Sequence, residues 1–154
     1  MISPHYRLTV RTLRAFLFAA ILAAASVFAA LWVVEGRVVG VSDGDTITVL
    51  DLEKKQQEVR INGIDAPEKG QAFGDRSRQN LAQMAHGKDT RLECHKTDRY
   101  GREVCKVWVQ PLDCPRWGKT LDVGFAQISA GLAWWFRRYA DEQSPDDRGR
   151  YKSG

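Results

Sequence analysis

The chain has 154 residues, 44% of them apolar and 27% charged, and a net charge of +4; that length allows one ordinary domain with a real core. The mix excludes a wholly disordered chain, a collagen-like chain and a protein with several membrane spans. Three cysteines are too few for a disulfide scaffold, and the positive balance says little about partners until its location is known.

From Ala15 to Val34 the only polar residue is Ser26. A helix of this length spans roughly 30 Å, the thickness of a bilayer's hydrocarbon core. Arg7, Arg11 and Arg14 precede it, and no acid occurs before residue 35. A cationic head followed by an apolar run reads as an export signal or membrane anchor over residues 1–34. The alternative, a buried core helix, is disfavoured because no polar face breaks the run. Ala23-Ala24-Ala25, and more weakly Val27-Phe28-Ala29, offer the small residues a signal peptidase needs, whereas the continuation to Val34 favours an uncleaved anchor. Both fates place residues 35–154 outside the cytoplasm, as a periplasmic or secreted domain or one tethered through residues 15–34. That domain carries only +1 of the +4, because the three arginines stand before it.

Within it, Arg37–Val41 is a β-branched run stopped by the turn signal Ser42-Asp43-Gly44. Asp45–Leu50 then alternates, with Ile47 and Val49 on one face, and the polar stretch 53–57 leads to a third alternating run, Glu58–Ile61. Phe73, Leu81, Met84 and Ala85 recur near the helical period, with Gly87 as the stop. Two more strands, Thr90–Cys94 and Val104–Val109, flank a hairpin carrying Asp98-Arg99-Tyr100-Gly101-Arg102. After a Pro- and Trp-bearing loop at 111–119, a second helix is expected from an N-cap at Thr120, burying Leu121, Phe125 and Ile128 and ending at Gly131. Five strands with a helix between the third and fourth describe a small α+β or mostly β domain, and suggest a closed barrel of the OB type.

The chemistry concentrates in three motifs at strand ends and turns: Asp43-Gly44-Asp45-Thr46, Arg60 through Asp65-Ala66-Pro67-Glu68, and Asp98 through Arg102. Carboxylates without cysteine or histidine partners make an oxygen site suited to Ca²⁺ or Mg²⁺. Asp45 and Asp65 each offer one oxygen, and a backbone carbonyl near Ala66 offers another. Glu68 is placed as a general base for water. Arg60 and Arg102 suit a phosphate clamp that also stabilises a five-coordinate phosphorus. Together these are the parts for phosphodiester hydrolysis. Singly, each motif has an ordinary explanation: a plain turn, a solvated hairpin ion pair, or a helix start with Pro67 and Glu68 in its first turn. Their joint occurrence in this order is what those explanations leave unexplained.

On these three motifs, over roughly residues 36–140, the sequence resembles the staphylococcal-nuclease-like (thermonuclease) family. The resemblance implies a five-stranded OB barrel with packed helices and Ca²⁺-dependent cleavage of DNA and RNA, leaving the phosphate on the 3′ side. It implies Asp45, Asp65 and the Ala66 carbonyl as calcium ligands, Glu68 as general base, and Arg60 and Arg102 on the phosphate. It puts Arg99 and Tyr100 against the nucleotide's phosphate and base. Phe136 and Tyr139 fall where the family has stacking aromatics, with packing of a strand end as the alternative. No protein partner is implied, and a monomer is expected. Two features depart from the family. The C-terminal helix, opening at Ser144-Pro145-Asp146-Asp147, has room for two to three turns and contains Gly149, which puts its support of the barrel in question. Cys94 and Cys105 lie on strands joined by one hairpin and are candidates for a disulfide in an oxidising compartment, while Cys114 has no partner at metal-ligand spacing. The rival to an active nuclease is a catalytically weak or inactive barrel of the same family that binds nucleic acid or protein; the filled acid and arginine positions favour the enzyme.

Overall fold

In a computed structural model, described here for residues 31–114 and 116–154, five strands wrap a core of Val38, Ile47, Val49, Val59, Ile61, Leu92 and Val107, all buried. The first strand, β1 (Trp32–Val41), pairs antiparallel with β2 (Thr46–Asp51), which pairs antiparallel with β3 (Gln56–Ile61). A two-residue strand β4 (Ile64–Asp65) follows. Beyond helix α1 (Gly74–Ala85), β5 (Asp89–Thr97) returns to β1 and forms a hairpin with β6 (Glu103–Val109). The barrel closes where β3 meets β6 in parallel, with Arg60 opposite Val104 and Ile61 opposite Cys105. Strand β7 (Leu121–Asp122) extends the sheet beside β6, and β8 (Trp134–Trp135) pairs with β4. Helix α2 (Val123–Ser129), a 3-10 segment (Arg137–Glu142) and helix α3 (Pro145–Ser153) complete the chain. This is the closed five-stranded barrel with packed helices expected of an OB domain.

The strands run longer than their sequence signals. β1 begins at Trp32, so the last three residues of the apolar run ending at Val34 pair with β5, Trp32 opposite Cys94 and Val34 opposite Leu92. The rest of that run, and with it the export or anchor reading of residues 1–30, lies outside the described residues. Among those that are described, no helix is long and apolar enough to cross a membrane. The stretch 53–57 also shortens, because Gln56 and Gln57 join β3.

Two helix expectations shift for local reasons. Phe73 does not belong to the packing stripe of α1: it sits at the N-cap with φ of 65° and is 61% exposed, under the guanidinium of Arg76. A residue in that conformation has left the helix face, and the buried side of α1 runs Ser77, Leu81, Ala85 at spacing four. Helix α2 is capped by Asp122, not Thr120, the Asp122 carboxylate accepting from the amide N–H of Phe125 at 3.1 Å. Leu121 is consequently a strand residue opposite Val109.

The short C-terminal helix is firmly docked. Ser144 caps α3 by accepting from the Asp147 amide, and Gly149 is on an open face where a side chain would meet nothing. Tyr151 is buried, its ring stacked on Phe125 and its hydroxyl donating to Asp122 Oδ1 at 2.8 Å. Lys106 of β6 pairs with both Asp122 and Asp147, tying barrel, α2 and α3 together. Two and a half turns therefore suffice where the helix supplies one buried aromatic anchor. Cys94 and Cys105, directly opposite in the β5–β6 register, are disulfide-bonded, and Cys114 is free.

The Tyr151 hydroxyl donates to a buried carboxylate, a class of bond contributing about 1.5–3 kcal/mol. Tyr151→Phe is expected to lower unfolding stability by that amount in urea titration, with the circular dichroism spectrum unchanged. Undiminished stability would mean that this bond does not dock α3.

Candidate active site

The site is assembled from the ends of β2, β3 and β4 and from the β5–β6 hairpin. Asp45, at the mouth of β2, is 5% exposed. Its Oδ1 accepts from the Thr46 hydroxyl at 3.1 Å and its Oδ2 from the Ala66 amide N–H at 2.9 Å. Asp43 holds the turn from the other side, accepting from the Asp45 amide at 3.1 Å. Between them, Gly44 is required by crowding: a Cβ there would overlap Ser77 Oγ and crowd the Ala66 Cβ at 2.7 Å.

Arg60, on β3, lies between the two acids. One guanidinium nitrogen pairs with Asp45 Oδ2 and the other donates to Asp65 Oδ1 at 3.0 Å. Asp45, Arg60 and Asp65 are thus brought to one point by three separate strand ends. Burial pushes the Asp45 carboxyl up to about 7, with the Arg60 guanidinium pulling it down and the neighbouring Asp43 charge adding to the rise. An acid this far from its ordinary range, with a specific charge partner, is a mark of a functional site.

Arg102 is oriented by Asp98 across the hairpin. Asp98 Oδ1 accepts from the amides of Tyr100 and Arg102, at 2.8 and 3.0 Å, and its Oδ2 accepts from Arg102 Nε at 2.8 Å. Partial burial works to raise the Asp98 carboxyl, but these bonds outweigh it and hold the group below its ordinary range. The pair is largely shielded, with side-chain exposures of 24% and 17%, so it is not the solvated ion pair of a free hairpin.

The β3–β6 pairing then places Arg60 and Arg102 on one cleft of about 370 Å³. Arg99, Tyr100, Phe136 and Tyr139, the other side chains singled out in the sequence, line the same cleft. The Arg102 and Arg99 guanidinium groups lie 5.4 and 5.9 Å from the Tyr100 ring centre, and Phe136 meets Tyr139 edge to face at 5.2 Å. Three residues of the cleft carried no sequence signal: Lys96, Arg138 and Glu142. Lys96 lies 4.4 Å from the Tyr139 ring centre and pairs with Glu142 at 2.5 Å. A basic residue in an alternating strand is indistinguishable from ordinary surface until the barrel closes.

Glu68 follows Asp65 by three residues. It is exposed, in the loop between β4 and α1, with its amide donating to Gln71 Oε1 at 2.9 Å. The loop is held from below by Gly74, the first residue of α1, where a Cβ would overlap the Glu68 carbonyl oxygen.

The donor chemistry fits a hard cation. Asp45 and Asp65 offer carboxylate oxygens that already converge on one positive group, the guanidinium of Arg60. Among the described residues, no group of three or more His, Cys, Asp and Glu side chains gathers to hold a metal. A cation here would therefore take two carboxylates and draw the rest of its shell from backbone oxygen and water, as Ca²⁺ and Mg²⁺ do.

A model of the staphylococcal nuclease homologue family matches residues 58–152, which takes in Arg60, Asp65, Glu68 and Arg102 and begins after Asp45. The chain is 40% identical over 129 residues to Protein ParB of Escherichia coli, covering 83% of this chain and 72% of that protein. It is 36% identical over 106 residues to an uncharacterized endonuclease of Haemophilus influenzae, covering 69% of this chain and 54% of the relative. It is 39% identical over 119 residues to micrococcal nuclease of Shigella flexneri, covering 76% and 65%. The chain thus spans between about half and three quarters of the lengths of these relatives.

Because Asp98 has a folded-state pKa below its ordinary 3.8, its contribution to stability is present above about pH 4 and lost as pH falls through the folded value. Asp98→Asn should therefore lower the melting temperature at pH 7 by a few degrees, with the difference from wild type shrinking below pH 4. A difference independent of pH would exclude the carboxylate charge as its source.

Proposed function

Since this chain belongs to the staphylococcal nuclease homologue family, we propose that it is a Ca²⁺-dependent nuclease hydrolysing phosphodiester bonds of DNA and RNA. The observation that carries this reading is the convergence of Asp45, Asp65 and Arg60 beside a cleft where Arg60 and Arg102 meet stacking aromatics. The fold supports it, since the barrel brings together four strand-end and hairpin residues, Asp45, Arg60, Asp65 and Arg102, scattered along the chain.

In this reading Asp45, Asp65 and the Ala66 carbonyl hold the calcium ion, which when bound supplies positive charge to polarise the scissile phosphate. Arg60 and Arg102 grip the phosphate oxygens and stabilise the negative charge that grows as phosphorus becomes five-coordinate. Glu68 takes a proton from the attacking water; its exposure leaves its carboxylate open to solvent, and the Gly74 contact sets the height of its loop. Tyr100, Phe136 and Tyr139 offer ring faces to bases, and Arg99 a further cation for the backbone. Asp98 is a positioning residue that aims Arg102. The chain acts as a monomer outside the cytoplasm, exported or anchored by the part of the apolar run that precedes β1.

The exposure of Glu68, which makes no side-chain bond that would fix a base, is the observation that favours a binding barrel with weak or no catalysis. A nuclease assay of the full chain on single-stranded DNA and RNA, with calcium and with a calcium chelator, separates the two. Cleavage that requires calcium supports the enzyme; retained binding without cleavage supports the binding module; cleavage that survives the chelator removes the calcium assignment.

Glu68→Gln is expected to reduce kcat by about 10²–10⁴, the range for loss of a general base, with nucleic-acid affinity within about twofold of wild type. Unchanged turnover would remove Glu68 from the base role.

A further inference from the structure

Gln127 is a fully buried amide on α2. A methionine or leucine would fill that space without the cost of desolvating an amide. The amide is instead fully engaged. Nε2 donates to the Gly44 carbonyl at 2.7 Å, and is within 3.1 Å of the Ser77 carbonyl and 3.2 Å of Ser77 Oγ. Oε1 accepts from Asn80 Nδ2 at 2.6 Å. The Ser77 hydroxyl donates onward to the Leu132 carbonyl at 2.7 Å, leaving its lone pairs free to accept from Gln127.

One end of this chain of bonds is the turn that carries Asp45, and the other lies next to the strand that pairs with Asp65. Gly44 lies between Asp43 and Asp45 and has no side chain of its own to fix it. Leu132 stands two residues before Trp134, the partner of Asp65 in the β4–β8 pairing. Ser77 also forms the wall against which Gly44 is packed. One buried amide therefore spans from the Asp45 turn, through α1, to the strand beside Asp65.

We propose that Gln127 is a positioning residue that fixes the Asp43–Asp45 turn, with Ser77 linking it to the β8 side, so that the two carboxylates are held at the spacing a cation requires. This rests on the reading of Asp45 and Asp65 as a cation-binding pair. Gln127 touches neither substrate nor metal; it acts through the Gly44 backbone.

The test compares wild type with Gln127→Met, which keeps the volume and loses the donors, and with Ser77→Ala, a smaller change that breaks the link to Leu132. Hydrogen exchange of the Asp45 and Ala66 amides, which report the turn and its bond to Asp45 Oδ2, is measured against amides of the β5–β6 ladder. Calorimetric titration with Ca²⁺ alone gives the dissociation constant. In Gln127→Met, exchange at Asp45 and Ala66 should rise at least tenfold, with the ladder changing less than twofold and the Ca²⁺ dissociation constant rising about tenfold. A uniform rise at turn and ladder alike, or unchanged turn protection, overturns the proposal and leaves Gln127 as core packing alone. If Gln127→Met fails to fold, Gln127→Asn, which keeps an amide but withdraws it from the Gly44 carbonyl, decides: faster exchange confined to Asp45 and Ala66 supports the proposal, and an unchanged turn overturns it. Should wild type bind no Ca²⁺, the cation reading of the acids fails, while the exchange pattern still decides whether Gln127 fixes the turn.

Discussion

Everything in the site depends on three residue pairs, Val59 with Glu103, Arg60 with Val104 and Ile61 with Cys105, where β3 and β6 meet in parallel. Parallel pairing needs a long crossover connection, here the whole of β4, α1 and β5. Without it, Arg60 belongs to a meander and Arg102 to a separate hairpin. With it, both residues line one cleft, Arg60 within the ladder and Arg102 immediately before it. The bond from the Asn62 amide to the Cys105 carbonyl, 2.9 Å, extends the same seam, and the Cys94–Cys105 disulfide ties β6 to β5 beside it.

The second constraint is electrostatic. The domain from residue 35 onwards is nearly neutral, yet its cleft gathers Arg60, Lys96, Arg99, Arg102 and Arg138 against Asp98 and Glu142. Total charge therefore describes the wrong length scale: attraction for a polyanion is concentrated at one mouth and offset elsewhere by acids on the surface. Two of the cleft acids are themselves engaged by cations, Asp98 by Arg102 and Glu142 by Lys96. Such pairs fix side-chain direction at the cost of some net field.

The fold was readable in the sequence wherever a strand ran long enough for alternation to register, as with Ile47 and Val49 or Val59 and Ile61, all buried. Strands β4 and β8 are two residues each, too short to carry a period, yet their pairing holds Asp65 in place. Phe73 and Thr120 depart from their signals because an apolar period does not show where the backbone leaves the helix face, and a capping residue type does not show that a strand runs on to Asp122. The acids and arginines of the site announced themselves as dense charge at turn signals. Gln127 and Ser77 did not, since one amide on an apolar helix face looks like noise until its partners arrive from two other segments. A polar residue on an otherwise apolar stripe was the one available hint, in both helices.

Arg60 gives the arrangement a further property. Its guanidinium serves as an internal counterion for two carboxylates, and a donor committed to them is not at the same time free for an anion. On the proposed reading, a cation that takes over Asp45 and Asp65 releases Arg60 toward phosphate, and a phosphate that draws Arg60 away uncovers the acids. The two ligands then raise each other's affinity by the same factor, as thermodynamic linkage requires, and the chain would weigh metal and substrate as a pair.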